Sequence, residues 1–386
     1  YYIAVAIGIT YFFSKKNIFR FSFRYLSSKI CALIIKNGIP TVINQVSLVL
    51  LVYVFNQILL NVGGDLAVAS YSVITTISNI CYSFGGGIAA VSLTLSSLLY
   101  GDEDRSSLYL LVRIMTRYAV VINAIVTVAV AILSPLLVNM FLDDNAAYDM
   151  ATLGLRLFVL SLIPCSLNTC FKNFYQGTSR IGFTQLISVL QNFALTALSG
   201  FILSRFFGTS GVWLGFVCGE SLTFLIITFI VWNRDHSLKP LTEVFAFLKK
   251  DIGVPDDECF EMTVYDSEGA IEASKAAQKF CLERGESDKT SMCVAVCIEE
   301  ICLNAIKYGF EADKKDHLIE IRYMDKDGVK TLRIRDDCSY FDPVTYLKES
   351  DGEAPEKHIG IRMMMAMVKD ARYISSLGFN NLTLVF

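Results

Sequence analysis

Residues 297–310 read CIEEICLNAIKYGF. At helical spacing Glu300 and Asn304 stand one turn apart, and Lys307 or Tyr308 falls a further turn on, so these side chains share a face. Met292, Ala295, Ile298, Cys302 and Ala305 cover much of the opposite face. Mg2+ takes one or two protein oxygens and fills its shell with waters and substrate phosphates. An amide carbonyl one turn from a carboxylate suits that: Asn304 ligates, and Glu300 orients or deprotonates a nucleophile. The same pair also fits an ordinary, partly exposed helix edge, so by itself it leaves both readings open.

Two later stretches bear on the choice. RIRDDCSYFDPV sets carboxylates directly after a strand-like run, with Asp336 placed to accept from a purine amino group. A polar stretch, YLKESDGEAPEKH, is loop-like, and HIGIR then opens a helix. Helix N-termini attract phosphate, and Gly360 lets the backbone come close to it.

The elements that carry these residues read as a small domain over 254–386. CFEMTVY alternates as a strand, and SEGAIEASKAAQKFCLERG is a helix with Ser267 as cap and Gly285 as stop. KTSMCVAVCIEEICLNAIKYGF is a second helix ending at Gly309, and HLIEIRYM, DKDG and VKTLRIRDD form a hairpin. HIGIRMMMAMVKD is a third helix, and ARYISSLG with NNLTLVF is a closing hairpin. Three helices against four or five antiparallel or mixed strands predict an α/β two-layer sandwich.

This order of helix, strand-Asp, loop, Gly-opened helix and final strand resembles the Bergerat-fold, histidine kinase-like ATPases over roughly 260–386. The nearest branch is that of the anti-sigma-factor serine protein kinases. The resemblance implies ATP and Mg2+ as cofactors, with Glu300 as catalytic base, Asn304 as Mg2+ ligand, Asp336 as adenine contact and Gly360 as a phosphate-loop glycine. It puts Lys307 on the nucleotide side and brings Thr383, on the final strand, to the adenine side. It also implies a serine/threonine protein kinase whose partner is a small anti-sigma-antagonist-like (STAS) protein. The chain departs from the family pattern at Cys338 and Tyr340, which replace both glycines of the first box, and at His358, which stands for a glycine of the second. A sensor histidine kinase is disfavoured, because no phosphoacceptor histidine in a helical segment precedes the domain.

The rest of the chain is of another solvent class. Of its 386 residues 53 % are hydrophobic and 18 % charged, against about 25 % charged in soluble proteins. The apolar runs lie in 1–232, and 233–253 reads as a linker, with room for a short amphipathic helix on the membrane. A span needs about 20 apolar residues, which predicts a partial span at 1–13 and six full ones at 41–60, 68–99, 118–141, 150–170, 181–203 and 212–232. Lys15, Lys16, Arg20, Arg24, Lys29 and Lys36 crowd the first loop, and every second loop after it is basic. By that asymmetry the chain is a multi-pass plasma-membrane protein with a cytoplasmic C-terminal domain.

Glu220 is the carboxylate that falls clearly within a span, and it is either a packing group or the site of an ion or proton. IIKNGIPTVINQ, SSLLYGDED, NFYQGTSRIGFTQLIS and FFGTSGVWLGFVCGE together resemble the C-terminal lobe of the multidrug and toxic compound extrusion (MATE) transporters. That resemblance implies an α-helical transmembrane bundle, a transported small molecule or cation, and an N-terminal lobe beyond this sequence. The span after Pro40 offers Asn44, Gln45 and Ser47 but no acid. The reading that competes with the kinase is an efflux antiporter whose soluble domain only senses nucleotide.

A net charge of −3 carries no nucleic-acid signature. The sequence holds no Gly-x-x-x-x-Gly-Lys-Ser/Thr loop, so ATP driving transport directly is not expected. The eleven cysteines include no Cys-x-x-Cys pair, and His236, His317 and His358 lie far apart, so zinc is not expected either.

Overall fold

The computed structural model describes residues 2–13, 27–142, 145–234, 245–248, 252–254, 258–310, 316–326, 328–349, 359–376 and 378–386. His236, His358 and most of the expected linker lie outside the described residues. The chain divides into two compact units, Tyr1–Ile252 and Gly253–Phe386.

The first unit is helical. It runs α1 (Tyr2–Phe12), α2 (Ser28–Gly101), α3 (Arg105–Asn139), α4 (Asn145–Phe158), α5 (Leu162–Gly177), α6 (Ile181–Val189), α7 (Leu195–Phe207) and α8 (Thr209–Arg234). A 3-10 turn, Val159–Ser161, joins α4 to α5, and a π-helical turn, Leu190–Ala194, joins α6 to α7. Five stretches are long and apolar enough to cross a membrane, the first being Thr41–Gly101 with 61 residues. Such a length would span about 90 Å if straight, three times a bilayer core of about 30 Å. It is not straight: Gly64 is non-helical at φ 65°, and the rings of Phe55 and Tyr71 lie 6.2 Å apart. The chain therefore doubles back at Gly64 into two antiparallel arms, which recovers the two spans expected there. The predicted NVGGD loop is a kink rather than a loop.

Large apolar side chains such as Ile125, Ile132, Leu136, Leu225 and Phe229 face outward on these helices, as a lipid-facing surface requires. Inside, Phe55, Phe158, Trp213 and Phe216 build one core. Close helix approach rests on small residues: a Cβ on Gly215 of α8 would come within 2.5 Å of the Gly200 Cα of α7. Residues 245–248 pack into the bundle. Phe245 stacks on Phe171 with centroids 4.6 Å apart. Tyr175 Oη donates to the Phe245 carbonyl at 2.7 Å, and Arg180 donates to the Phe247 carbonyl at 3.0 Å.

The second unit is a five-stranded sheet with helices on one face. Its elements are β1 (Cys259–Val264), α9 (Ser267–Glu283), α10 (Asp288–Ala305), β2 (Ile319–Lys326), β3 (Val329–Asp336), α11 (Pro343–Glu349), α12 (Ile359–Met367), β4 (Asp370–Ser376) and β5 (Phe379–Val385). The strand order is β1-β2-β3-β5-β4, with every pairing antiparallel. Alternate residues Ile319, Ile321, Leu332, Ile334, Leu382 and Leu384 turn inward and bury against α9 and α10. Along α9, Ala270, Ala273, Ala277 and Cys281 form a small-residue stripe against α10. The α9 cap is Asp266, whose side chain accepts from Gly269 N, rather than Ser267 one residue on. Gly285, at φ +80°, ends the helix in the left-handed conformation that glycine tolerates best.

Candidate functional site

The second unit contains a cleft of about 690 Å³ between α10, α12 and the ends of β3 and β5, within the usual size for a small-ligand site. Glu300, Asn304, Asp336 and Gly360 all line it, so four sequence-predicted residues separated by up to 60 positions converge. Each arrives for a structural reason. Helical period puts Glu300 and Asn304 on the open face of α10, while Cys297, Ile298 and Cys302 are buried. Strand parity turns Asp336 to the helix side, the same side as Ile334 and Leu332.

Asn304 Nδ2 donates to Glu300 Oε1 at 2.8 Å, which leaves the amide oxygen as the group for a cation. Glu300 lies against the backbone of α12: a Cβ added at Gly360 would overlap its carboxylate. Any larger residue would push that carboxylate aside. Asp336 Oδ1 accepts from Cys338 N at 3.0 Å and from Asn380 Nδ2 at 2.8 Å, so Oδ2 is the oxygen left for a base amino group. Burial pushes the Asp336 carboxyl above the usual range, and the bonds from Asn380 and Cys338 hold that rise back.

Asn380 was not apparent from sequence. It donates to the carbonyls of Cys338 and Ser339 at 3.1 and 3.2 Å, besides Asp336, and accepts from Tyr373 Oη at 2.7 Å. It thereby staples β5 to the loop after β3. The available signal was the Asn380-Asn381 pair within a strand, where asparagine is depleted.

Two expected residues do not reach the cleft. A π-helical turn, Ile306–Phe310, follows α10 and shifts the register. Tyr308 lines the cleft, whereas Lys307 is exposed with its ammonium 4.9 Å over the Tyr308 ring. Thr383 alternates with the inward Leu382 and Leu384, and pairs with Arg333 and Arg372 on the other face of the sheet. Its assignment to the adenine side is corrected by strand parity. Cys338 and Tyr340 both line the cleft, as replacements for the box glycines would. A Cβ on Gly309 would come within 2.7 Å of Cys338 Sγ, and Tyr340 sits edge-on to Tyr373 with centroids 5.5 Å apart.

A second polar centre lies in the first unit. Glu220 of α8 is 5 % exposed. Its carboxylate accepts from Asn168 Nδ2 at 2.8 Å and from Gln191 Nε2 at 3.3 Å. Nearby, Lys172 and Asn192 both donate to Asn44 Oδ1, at 3.0 and 2.7 Å. Gln191 and Asn192 belong to the π-helical turn, a distortion common at functional sites. Asn168 Oδ1 and Gln191 Oε1 are buried without a hydrogen-bond partner. Asn168, Gln191 and Asn192 were missed because they are neutral polar residues within spans that read as apolar overall, and Lys172 because it reads as a loop charge.

Residues 40–202 match the MatE family model, and residues 238–386 match the model of the histidine kinase-like ATPase domain. Among solved structures, the chain is similar to a MATE protein crystallised in complex with MaL6, at 19 % identity and TM-score 0.54, covering 60 % of this chain and 53 % of that one. It is likewise similar to a multidrug resistance MATE family transporter of the MOP superfamily in an outward-facing conformation, at 18 % identity with the same TM-score and coverage. A MOP superfamily transporter from Pyrococcus furiosus, described as having a binding pocket of reversed polarity, matches at 17 % identity, TM-score 0.54 and again 60 % and 53 % coverage. The chain thus spans about half the length of these transporters. Among curated proteins, no sequence matches it. The first unit has the fold of a MATE bundle, and the second is a helix-backed antiparallel sheet with a histidine kinase-like ATPase match.

Proposed function

We propose that this chain, which joins a MatE domain to a histidine kinase-like ATPase domain, is a membrane-tethered regulator that binds Mg·ATP and phosphorylates serine or threonine on a small STAS-like protein. The observation that carries the reading is the convergence of Glu300, Asn304, Asp336 and Gly360 on one cleft. The residues present fit the nucleotide and its metal: a carboxylate for the base amino group, a free amide oxygen beside a carboxylate, and a glycine where α12 approaches. Asn304, with the nucleotide phosphates, would hold Mg2+. When bound, Mg2+ neutralises charge on the phosphates. Asp336 Oδ2 accepts from the exocyclic amino group of adenine. Glu300 takes the proton of the attacking hydroxyl, and its bond from Asn304 fixes the carboxylate for that transfer. Basic loops alternating along the membrane part support a cytoplasmic location for the domain, where ATP is supplied.

The test is phosphoryl transfer by the detergent-purified chain, with labelled ATP, Mg2+ and candidate STAS-like proteins. Glu300→Gln is expected to abolish transfer while ATP still binds. Unchanged transfer would refute Glu300 as base, and no ATP binding by the unmodified chain would refute the nucleotide reading.

A second reading rests on the Glu220 centre. A buried carboxylate beside two amides with unpartnered oxygens supports movement of a cation or proton through the MatE lobe. On that reading the chain is an efflux antiporter whose ATPase domain senses nucleotide, and Cys338 and Tyr340 at the glycine positions favour sensing over turnover. Efflux that survives Glu300→Ala but not Glu220→Gln would select it.

A further inference from the structure

The hairpin of β2 and β3 assembles a second donor set behind the cleft. In its register Ile319 faces Asp336, so the same register carried two residues past the ladder sets His317 opposite Cys338. Asp337 joins them. His317 Nδ1 lies 3.1 Å from Asp337 Oδ1, and one donor atom from each of His317, Asp337 and Cys338 falls within 4.8 Å of the other two.

The donors are held from several sides. His317 is 7 % exposed, with its ring 5.3 Å from that of Phe310. Asp337 Oδ1 also accepts Leu318 N at 3.1 Å, which anchors the carboxylate to the strand. Gly309 leaves no space beyond the Cys338 thiol, whose backbone N–H is bound to Asp336. A plain His–Asp pair would need no thiol beside it.

Imidazole nitrogen, carboxylate oxygen and thiolate sulfur together form the set that borderline and soft divalent ions take. Mg2+ and Ca2+ prefer oxygen alone. Three protein donors leave a fourth position open, as in zinc sites that exchange water or ligand. We propose that His317, Asp337 and Cys338 form a binding site for Zn2+ or a similarly thiophilic divalent cation, separate from the Mg2+ position at Asn304. On binding, the Cys338 thiol gives its proton to solvent and its sulfur to the metal. Because Cys338 also lines the nucleotide cleft, the ion holds the loop that carries the rim.

The test uses the full chain in detergent, stripped with a chelator and titrated with Co2+ as a spectroscopic stand-in for Zn2+. A sulfur-to-cobalt absorption band is expected to saturate at one equivalent, to disappear on adding Zn2+, and to be absent from Cys338→Ser. Asp337→Asn keeps an acceptor for Leu318 and so guards against simple misfolding. It should weaken cobalt affinity by more than about tenfold, the least that even an outer-shell change usually costs. A chain that gives no such band, or one whose band survives Cys338→Ser unchanged, overturns the proposal.

Discussion

Asp336 illustrates how a single buried carboxyl can cost stability at the edge of a cleft. Its folded pKa is raised above the unfolded value, chiefly by burial. A raised carboxyl favours folding fully below the unfolded pKa and loses that benefit as pH climbs through the folded one, so at neutral pH the ionised group is a net cost. Asp336→Asn keeps an oxygen for Cys338 N and Asn380 but turns an N–H donor toward the base amino group. It should therefore raise the melting temperature of the ATPase domain at pH 7 while lowering ATP affinity by about 10- to 100-fold, since an unsatisfied polar pair costs about 1–3 kcal/mol. Thermal unfolding and equilibrium nucleotide binding on the same samples check both signs. Gly360→Ala should act in the opposite sense on stability. Its methyl would push the Glu300 carboxylate off its bond from Asn304, a loss of about 0.5–1.5 kcal/mol. A lower melting temperature with weaker ATP binding is expected. A variant that binds ATP normally would mean that α12 does not close on Glu300 during function.

Among elements, regular ones were readable and distorted ones were not. Glu300, Asn304 and Asp336 reach one cleft as their spacing suggested because α10 and β3 keep their periods up to those residues. Lys307 was misplaced because the α-helix gives way to a π turn one residue earlier, at Ile306. Thr383 was misplaced because composition does not reveal strand parity without knowing which neighbour faces in. The Gly64 reversal was readable as a break between two spans at NVGGD, but not that the helix would run through it with Gly64 alone out of helical geometry. His317 and Cys338 look unrelated until the hairpin register sets them opposite one another. Glycines divide in the same way. In α8, Gly215 sits where α7 crosses, but Gly86 in α2 has nothing within 4 Å of an added Cβ. Gly215→Ala should cost the membrane unit about 1–3 kcal/mol, read as a lower melting temperature in detergent, whereas Gly86→Ala should leave it unchanged. Equal effects at the two positions would refute backbone contact as the basis of α7–α8 packing.

The whole molecule consists of two bodies with separate cores and different solvents. Composition suggested a boundary after residue 232, because a bilayer and water demand opposite surfaces, whereas contacts assign residues up to Ile252 to the first unit. Calorimetry should resolve two transitions. A ligand at 100 times its dissociation constant stabilises its own unit by about 2.7 kcal/mol, so ATP with Mg2+ should raise one transition and leave the other in place. If the Glu220 centre stabilises the MatE unit, Glu220→Gln should move only the second. Coincident movement of both under ATP would show that the units melt as one.

The order of strands also sets which contacts depend on which. β5 lies between β3 and β4, although β4 precedes it along the chain. β4 therefore has no edge to join until β5 is present. The local β4–β5 hairpin can close within microseconds, and it then docks as a unit when β5 finds β3. The β3–β5 pairing also brings Asn380 to Asp336 and Leu382 to the cleft. The cleft is thus complete only where β5 is paired with β3, so the central strand pair of the sheet and the lining of the cleft stand or fall together.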